Sequence, residues 1–147
     1  MIVDADGLIL GRLASFVVKK ALKGETIIIV NAEKAVISGK KEDIIGRNLA
    51  KLEIKNKGNY RRGPFHYRRP DRYVRKSIRG MLPTEKTRGQ EAFKKIMVYI
   101  GFPKEVIAKK QGIDASKEKL VKPKVLSKNL NNYLTVGELC KAIGGSF

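Results

Sequence analysis

The stretch from residue 59 to 79 is the part of the sequence best suited to bind a polyanion, and it reads NYRRGPFHYRRPDRYVRKSIR. It contains seven of the ten arginines of the chain, and Asp71 is its only acid. Arginine is a planar donor that pairs with two phosphate oxygens at once and stacks on flat rings, whereas lysine is a hydrated point charge. Because the stretch supplies almost no countercharge of its own, we expect its partner to be another molecule.

The charge of the whole chain supports this expectation. Its 147 residues include 32 Lys and Arg against 14 Asp and Glu, which gives a formal net charge of +18. Half of that excess, +9, lies in residues 57–88, whereas the lysines elsewhere are scattered as on an ordinary solvated face. Such a charge favours a polyanionic partner, and a hydrophobic fraction of 42% is typical of a folded protein.

Two aspartates after the first apolar run form a second candidate site. In MIVDADGLI, Asp4 and Asp6 resemble the first motif of the haloacid-dehalogenase-like phosphatases, whose first aspartate is a nucleophile and whose second is a general acid. However, Leu8 stands where that family has Thr or Val, and no later strand ends in the acid pair that its metal site needs. We therefore interpret both aspartates as residues that cap or turn into the first helix, and we keep a phosphatase-like hydrolase as an alternative.

One histidine and one cysteine leave little room for other chemistry. His66 and Cys140 are too few for a zinc site of the usual Cys/His kind, and a single cysteine cannot form an internal disulfide. Cys140 lies on an apolar helical stripe, which predicts a core position. His66 lies between Phe65 and Tyr67, so stacking on a base and local packing are both open. We predict no catalytic residue, no metal and no cofactor.

The hydrophobic pattern predicts the elements that carry these residues. MIVDA and TIIIVNA have the composition of buried strands, and between them apolar residues recur with a helical period from Leu10 to Leu22. Gly24 follows as a stop. Two strands joined by a helix usually run parallel, so the pattern predicts a layered α/β domain.

Further elements follow along the chain. A short strand is predicted at 35–38, a helix at 41–55 with Ile44, Ile45, Leu49 and Leu52 inward, a short helix at 90–95 and a strand at 96–100. Asp71 is a candidate N-cap for a helix that runs to about Gly80. Its apolar residues Val74, Ile78, Met81 and Leu82 should face inward, and Arg72, Arg75, Lys76 and Arg79 outward.

The chain is interpreted as a single domain over residues 1–147. Residues 57–88 form a basic loop-helix insertion, 104–134 an extended arm and 135–147 a terminal helix that Thr135 and Glu138 open as a capping box. No apolar run approaches the roughly 20 residues that span a bilayer, and the start does not have the pattern of a secretory signal. We expect a cytosolic protein with no membrane partner.

The interleaved Arg, Tyr, Phe and His of the basic segment suit structured RNA better than duplex DNA. RNA offers irregularly spaced phosphates and unstacked bases, which these side chains meet with ion pairs and stacking. No helix-turn-helix, zinc finger or basic zipper is evident.

Several stretches resemble, in order and spacing, the signatures of the universal large-subunit ribosomal protein L-thirteen family. They are VDADGLILGRLAS, IVNAEKAVISGKK, GPFHYRRP, RGMLP and VYIGFP, and the match covers about residues 2–103. The form GPFHYRRP is similar to the archaeal and eukaryotic branch. The resemblance implies an α/β/α domain of three layers around a small, mostly parallel sheet, without catalysis.

The same resemblance implies a structural constituent of the large ribosomal subunit that binds its RNA during early assembly in the cytoplasm. Its partners would be large-subunit ribosomal RNA and neighbouring ribosomal proteins, with no small-molecule substrate; a free-standing RNA-binding regulator is the other alternative. The predicted RNA-binding residues are Lys57, Tyr60, Arg61, Arg62, His66, Tyr67, Arg68, Arg69, Arg72, Arg75, Lys76 and Arg79.

Overall fold

The centre of the protein is a parallel sheet of four short strands. The computed structural model describes residues 1–111, 120–123 and 130–147. Across the sheet the strands follow the order β4 (Ile96–Val98), β2 (Ile27–Val30), β1 (Ile2–Asp4) and β5 (Leu120–Val121). Every pair in it is parallel, which confirms the prediction of a mostly parallel sheet. A separate antiparallel pair joins β3 (Val36–Ser38) to β6 (Tyr133–Thr135).

Six helices surround these strands in the part of the chain that the structure describes. They are α1 (Leu10–Ala21), α2 (Lys41–Glu53), α3 (Pro70–Arg79), α4 (Thr87–Lys94), α5 (Lys104–Gln111) and α6 (Val136–Ala142). Single turns of 3-10 helix lie at Ala32–Lys34 and Tyr60–Arg62. The predicted apolar stripe of α1 is confirmed, because Leu10, Leu13, Ala14, Val17, Val18 and Ala21 are all buried.

The sheet is covered on both faces, which gives the predicted three layers. Successive side chains of a strand point to opposite faces, so alternate residues of β1 and β2 enter different clusters. Val3 and Ile29 pack in the cluster that contains residues of α1 and α3, whereas Ile2 and Ile28 pack with Ile107 of α5. These strand residues are fully buried and β-branched, as expected for a parallel sheet between helices.

A third cluster joins the end of the chain to α2. Ile44 of α2 packs there with Leu134, Leu139 and Ile143, and the predicted capping box at the start of α6 is present. Cys140 is buried on this helix as predicted, and burial raises the pKa of its thiol to about 12. The terminal helix thereby anchors the antiparallel strand pair to the rest of the fold.

Four predicted details of the helices are wrong. The N-cap of α3 is Arg69 rather than Asp71, because Pro70 has the fixed φ and missing N–H that suit the first helical position. Helix α4 begins at Thr87, before the predicted Gln90. Leu49 is 42% exposed and Met81 is 45% exposed, although both were expected to face inward. Helix α3 ends at Arg79, so the helical period no longer positions Met81, and it is Leu82 that is buried.

The extended arm predicted for residues 104–134 contains regular structure instead at the places that the structure describes. These are α5, β5 and the start of β6. Helix α5 forms because Ile107 fills the second face of the sheet, and β5 pairs with β1. Residues 112–119 and 124–129 of the predicted arm lie outside the described residues. The division of the chain into one domain with these segments stays a prediction.

Candidate nucleic-acid interface

Helix α3 presents a row of cations because its opposite side is buried. Pro70, Val74 and Ile78 recur every four residues and are all buried, which holds the helix against the core. The predicted outward residues lie on the remaining surface: Arg72, Lys76 and Arg79 are exposed, and Arg75 is half-buried. The spacing of three and four residues keeps neighbouring cations close together without interrupting the apolar stripe.

The beginning of α3 is also well determined. Pro70 occupies the first helical position, and Asp71 lies in the first turn, where a carboxylate interacts favourably with the unpaired N–H groups of the helix. Arg69 Nε lies 3.4 Å from Asp71 Oδ1. At the start of α3, the side chain of Arg69 therefore lies beside Asp71, the single acid of this helix.

Local polar contacts organise the loop before α3. His66 Nε2 lies 3.0 Å from the carbonyl oxygen of Ile54, and because a carbonyl only accepts, this nitrogen carries the proton. The side chain of Asn59 accepts from the backbone N–H of Arg61 at 3.1 Å. The contact of His66 is thus local packing in this structure, and its stacking on a base stays a prediction. The side chain of Tyr60 lies outside the described part of the chain.

The loop and α3 together enclose a groove of about 480 Å³, which we call the aromatic groove. Its lining residues are Phe65, Tyr67, Arg72, Arg75, Lys76, Arg79 and Phe93. The Arg75 guanidinium carbon lies 4.5 Å from the centre of the Phe93 ring, and Lys76 Nζ lies 5.9 Å from the centre of the Tyr67 ring. Cations held over aromatic faces are attracted to them and lose freedom of movement. Among the described residues, the lining of the groove thus combines flat apolar walls with four positive charges and no carboxylate.

A second groove of about 310 Å³, which we call the glycine groove, adjoins it. Its lining residues are His66, Tyr67, Arg68, Arg69, Arg72, Gly144, Gly145 and Ser146. The backbone of Gly145 packs directly on the carbonyl oxygen of Arg68, and a Cβ atom at this position would overlap with it. The backbone N–H of Gly145 also donates to the carbonyl oxygen of Cys140 at 2.7 Å. The C-terminal residues therefore position the loop at 57–69, which we call the basic loop.

Most of the predicted RNA-binding residues come together around these two grooves. Tyr67 and Arg72 line both of them, whereas Lys57, Arg61 and Arg62 are exposed on the loop and line neither. Sequence reasoning missed Phe65, Phe93 and the terminal glycines as lining residues. The Gly-Gly pair was a visible signal of close backbone approach, but nothing in the sequence brought Phe93 near Arg75.

Of the two N-terminal aspartates, Asp6 lies in a turn as predicted, whereas Asp4 is the last residue of β1. Asp4 Oδ1 accepts from the backbone N–H of Asp6 at 3.1 Å and from Asn31 Nδ2 at 2.8 Å. Asp6 Oδ2 lies 2.9 Å from Lys122 Nζ, whose hydrogen bond lowers the pKa of that carboxyl. Both carboxylates are thus engaged by neighbours in the protein.

Neither a metal cluster nor a membrane span is found in the part of the chain that the structure describes. Within residues 1–111, 120–123 and 130–147, no three His, Cys, Asp or Glu side chains are grouped so that they could hold a metal ion. No helix among the same residues is both long enough and apolar enough to cross a bilayer.

The fold and this surface define a class, that of small basic α/β proteins whose arginines are concentrated on one loop and one helix. Within that class, the family model described as Ribosomal protein L13 matches residues 1–105. The chain is similar to the large ribosomal subunit protein uL13 of Methanocaldococcus jannaschii, with 45% identity over 99% of this chain and 98% of the relative. It is also similar to that of Methanococcus maripaludis, with 43% identity over 100% of this chain and 99% of the relative.

The chain therefore belongs to the ribosomal protein L13 family. The protein of the same name from Methanopyrus kandleri is 41% identical over 97% of this chain and 86% of the relative. These alignments extend past residue 103, where the motifs recognised in the sequence end. All three relatives are archaeal, in agreement with the branch to which GPFHYRRP is similar.

Proposed function

We propose that this protein is a structural constituent of the large ribosomal subunit, which binds and stabilises large-subunit ribosomal RNA during early assembly. The observation that carries the proposal is the row of cations on α3, which is fixed by a buried apolar stripe before any partner arrives. Membership of the family supports it, since the relatives are named as large ribosomal subunit proteins. The protein acts in cytoplasmic ribosomes, with this RNA and neighbouring ribosomal proteins as its partners.

The RNA contacts come from the basic loop and α3. Exposed arginines suit phosphates that are spaced irregularly, because each guanidinium forms charge-assisted bonds from a planar fork. The two grooves offer rings and backbone between these cations, where bases and 2′-hydroxyls find partners. The contacting residues are Lys57, Tyr60, Arg61, Arg62, His66, Tyr67, Arg68, Arg69, Arg72, Arg75, Lys76 and Arg79.

The protein works without catalysis, cofactor or small-molecule substrate. A phosphatase of the haloacid-dehalogenase type needs further acids to hold Mg²⁺ beside its nucleophilic aspartate, and no later predicted strand of this sequence ends in such an acid pair. We expect the purified protein with Mg²⁺ to leave phosphomonoesters intact. Turnover that Asp4→Asn abolishes would contradict this expectation, whereas turnover that survives the substitution would come from a contaminant.

Sedimentation of a cell extract tests the proposal. An affinity-tagged copy of the chain should travel almost wholly with large subunits on a sucrose gradient, whereas a free-standing regulator or an enzyme would stay in the soluble fraction. The informative variant replaces three exposed cations of α3, Arg72, Lys76 and Arg79, by Gln. It should remain folded, but it should stay in the soluble fraction instead of entering large subunits.

A matched control separates the surface from the total charge. Replacing the exposed residues Lys19, Lys23 and Lys51 by Gln removes the same charge elsewhere, and this variant should still enter large subunits. Equal incorporation of both variants would contradict the role of α3.

A further inference from the structure

The aromatic groove contains aromatic rings, which a surface that binds only phosphates does not need. Phosphate contacts require cations, but the lining also contains three rings, one of which, Phe65, is 69% exposed. Large exposed rings in a solvated loop are unfavourable unless a partner covers them. The volume of about 480 Å³ lies within the range of small-molecule sites, about 300–1,000 Å³, and is too small for a duplex.

Arg75 is the fixed element of this groove. Its guanidinium lies over Phe93, its Nε atom is covered, and that nitrogen has no hydrogen-bond acceptor among the described residues. Phe93 itself packs against the main core, so the ring cannot move freely. Arg75 is nevertheless only half-buried and lines the groove, so part of its side chain is accessible to a ligand. A flat cation held in this way is a platform for a planar group.

The chemistry of the walls specifies the ligand. A planar π-system can stack on the guanidinium and on the exposed rings. An attached anion can pair with Arg72, Lys76 and Arg79. A nucleotide carries both parts, whereas a carboxylate peptide supplies only the anion. A base inside a duplex exposes neither face, so the nucleotide must be unpaired.

We propose that the aromatic groove binds one unpaired nucleotide of an RNA, with its base stacked beside Arg75 and its phosphate held by the cations of α3. This inference rests on the proposed function and narrows it to a structural feature of the RNA. The stacked base adds selectivity for a bulge or loop to a surface that otherwise recognises the backbone. Base–aromatic stacking is worth about 1–3 kcal/mol, which corresponds to roughly 5- to 150-fold in affinity.

Fluorescence anisotropy with three hairpins of equal length tests the inference on the full chain at fixed salt. One hairpin carries a single bulged adenosine, one carries an abasic bulge and one is fully paired. The bulged hairpin should bind about 5- to 150-fold more tightly than the abasic one. Equal binding of all three would overturn the inference but leave the proposed function standing, whereas no binding to any of them would count against the proposed function itself.

Substitution of the exposed rings links the selectivity to the groove. The double variant with Phe65→Ala and Tyr67→Ala should lose the preference for the bulge and keep its affinity for the paired hairpin, since both rings are exposed. Phe147→Ala removes another exposed ring, which lines neither the aromatic nor the glycine groove, and this variant should keep the preference. An unchanged preference in the double variant would overturn the assignment, as would an acidic peptide that competes as well as the bulged hairpin.

Discussion

The basic loop and helix α3 carry similar charges but are held by different forces. In α3, burial of Pro70, Val74 and Ile78 fixes the direction of the cations on the other side. In the loop, Arg61, Arg62, Arg68 and Arg69 are exposed, and the local contacts are single polar bonds such as that of His66 to Ile54. Polar bonds of this kind contribute about 0.5–1.5 kcal/mol each, much less than a buried apolar row.

The two regions therefore contribute to binding in different ways. Helix α3 is preorganised, so it binds without a large cost in conformational entropy. The loop has little apolar surface to bury, and we expect it to gain order when its partner supplies countercharges. Charge alone would not distinguish the two regions, because both are rich in arginine.

Salt dependence should give the largest effect. If about six phosphates are contacted, affinity for large-subunit ribosomal RNA should fall with a log-log slope of roughly −4 to −5, which is about 250- to 1,000-fold between 50 and 200 mM salt. The α3 variant that lacks Arg72, Lys76 and Arg79 should have a slope that is smaller by about 2–3. Filter binding across a salt series measures both slopes, and a slope near zero for the intact chain would contradict the electrostatic account.

The buried side of α3 should govern its stability. Ile78→Ala removes apolar atoms from a fully buried position, so the free energy of unfolding should fall by about 2–5 kcal/mol. Met81→Ala, at a position that is 45% exposed just after the helix, is the matched control and should change it by less than about 1 kcal/mol. Urea unfolding followed by circular dichroism compares them, and equal effects would mean that α3 is not anchored by this stripe.

The C-terminal glycines should determine the position of the loop before α3 rather than that of α3 itself. Gly145→Ala forces a Cβ atom into the backbone of Arg68 and to 2.8 Å from the carbonyl oxygen of Cys140, so something must shift. We expect a loss of about 1–3 kcal/mol in stability, as for other overpacked sites, together with weaker RNA binding. Gly11→Ala on α1 has open space around it and should be neutral or stabilising by up to about 1 kcal/mol. Unchanged unfolding and binding in Gly145→Ala would contradict the proposed contact.

The sequence predicts the elements with long or repeated patterns and misses those that depend on distant contacts. Helix α1 has six buried residues at helical spacing, so its position is clear from the apolar pattern alone. Helix α5 has eight residues, and among its residues 104–108, whose burial is described, only Ile107 is buried; β5 has two residues. Both have too little pattern to detect in the sequence. Their formation is decided by the sheet that they cover or extend.

The candidate site follows the same rule. Its arginines were predictable because their chemistry is visible in the residue type and their clustering in the sequence. Phe93 and Gly145 enter the grooves only through the packing of α4 and of the chain end. Phe93 lies 18 residues after Arg75 in the sequence, and Gly145 lies 77 residues after Arg68. The binding chemistry of a segment can therefore be inferred from its own sequence, whereas the residues that line a groove can be identified only from the folded structure.

The most direct test of the central claim replaces Arg61, Arg62, Arg68 and Arg69 by Ser and measures unfolding and RNA binding together. The midpoint of thermal unfolding by circular dichroism should be nearly unchanged or slightly raised, because exposed like charges are removed and the Gly145 contact uses the backbone of Arg68. The partly exposed ion pair of Arg69 with Asp71 is also lost, but such pairs contribute little to stability. Affinity for a ribosomal RNA fragment at fixed salt should fall by several kcal/mol, since about four charge-assisted contacts are lost. A variant with Lys19, Lys23, Lys51 and Lys55 replaced by Ser should bind nearly as the intact chain does. Unfolding of the arginine variant, or RNA binding equal to that of the intact chain, would contradict the account.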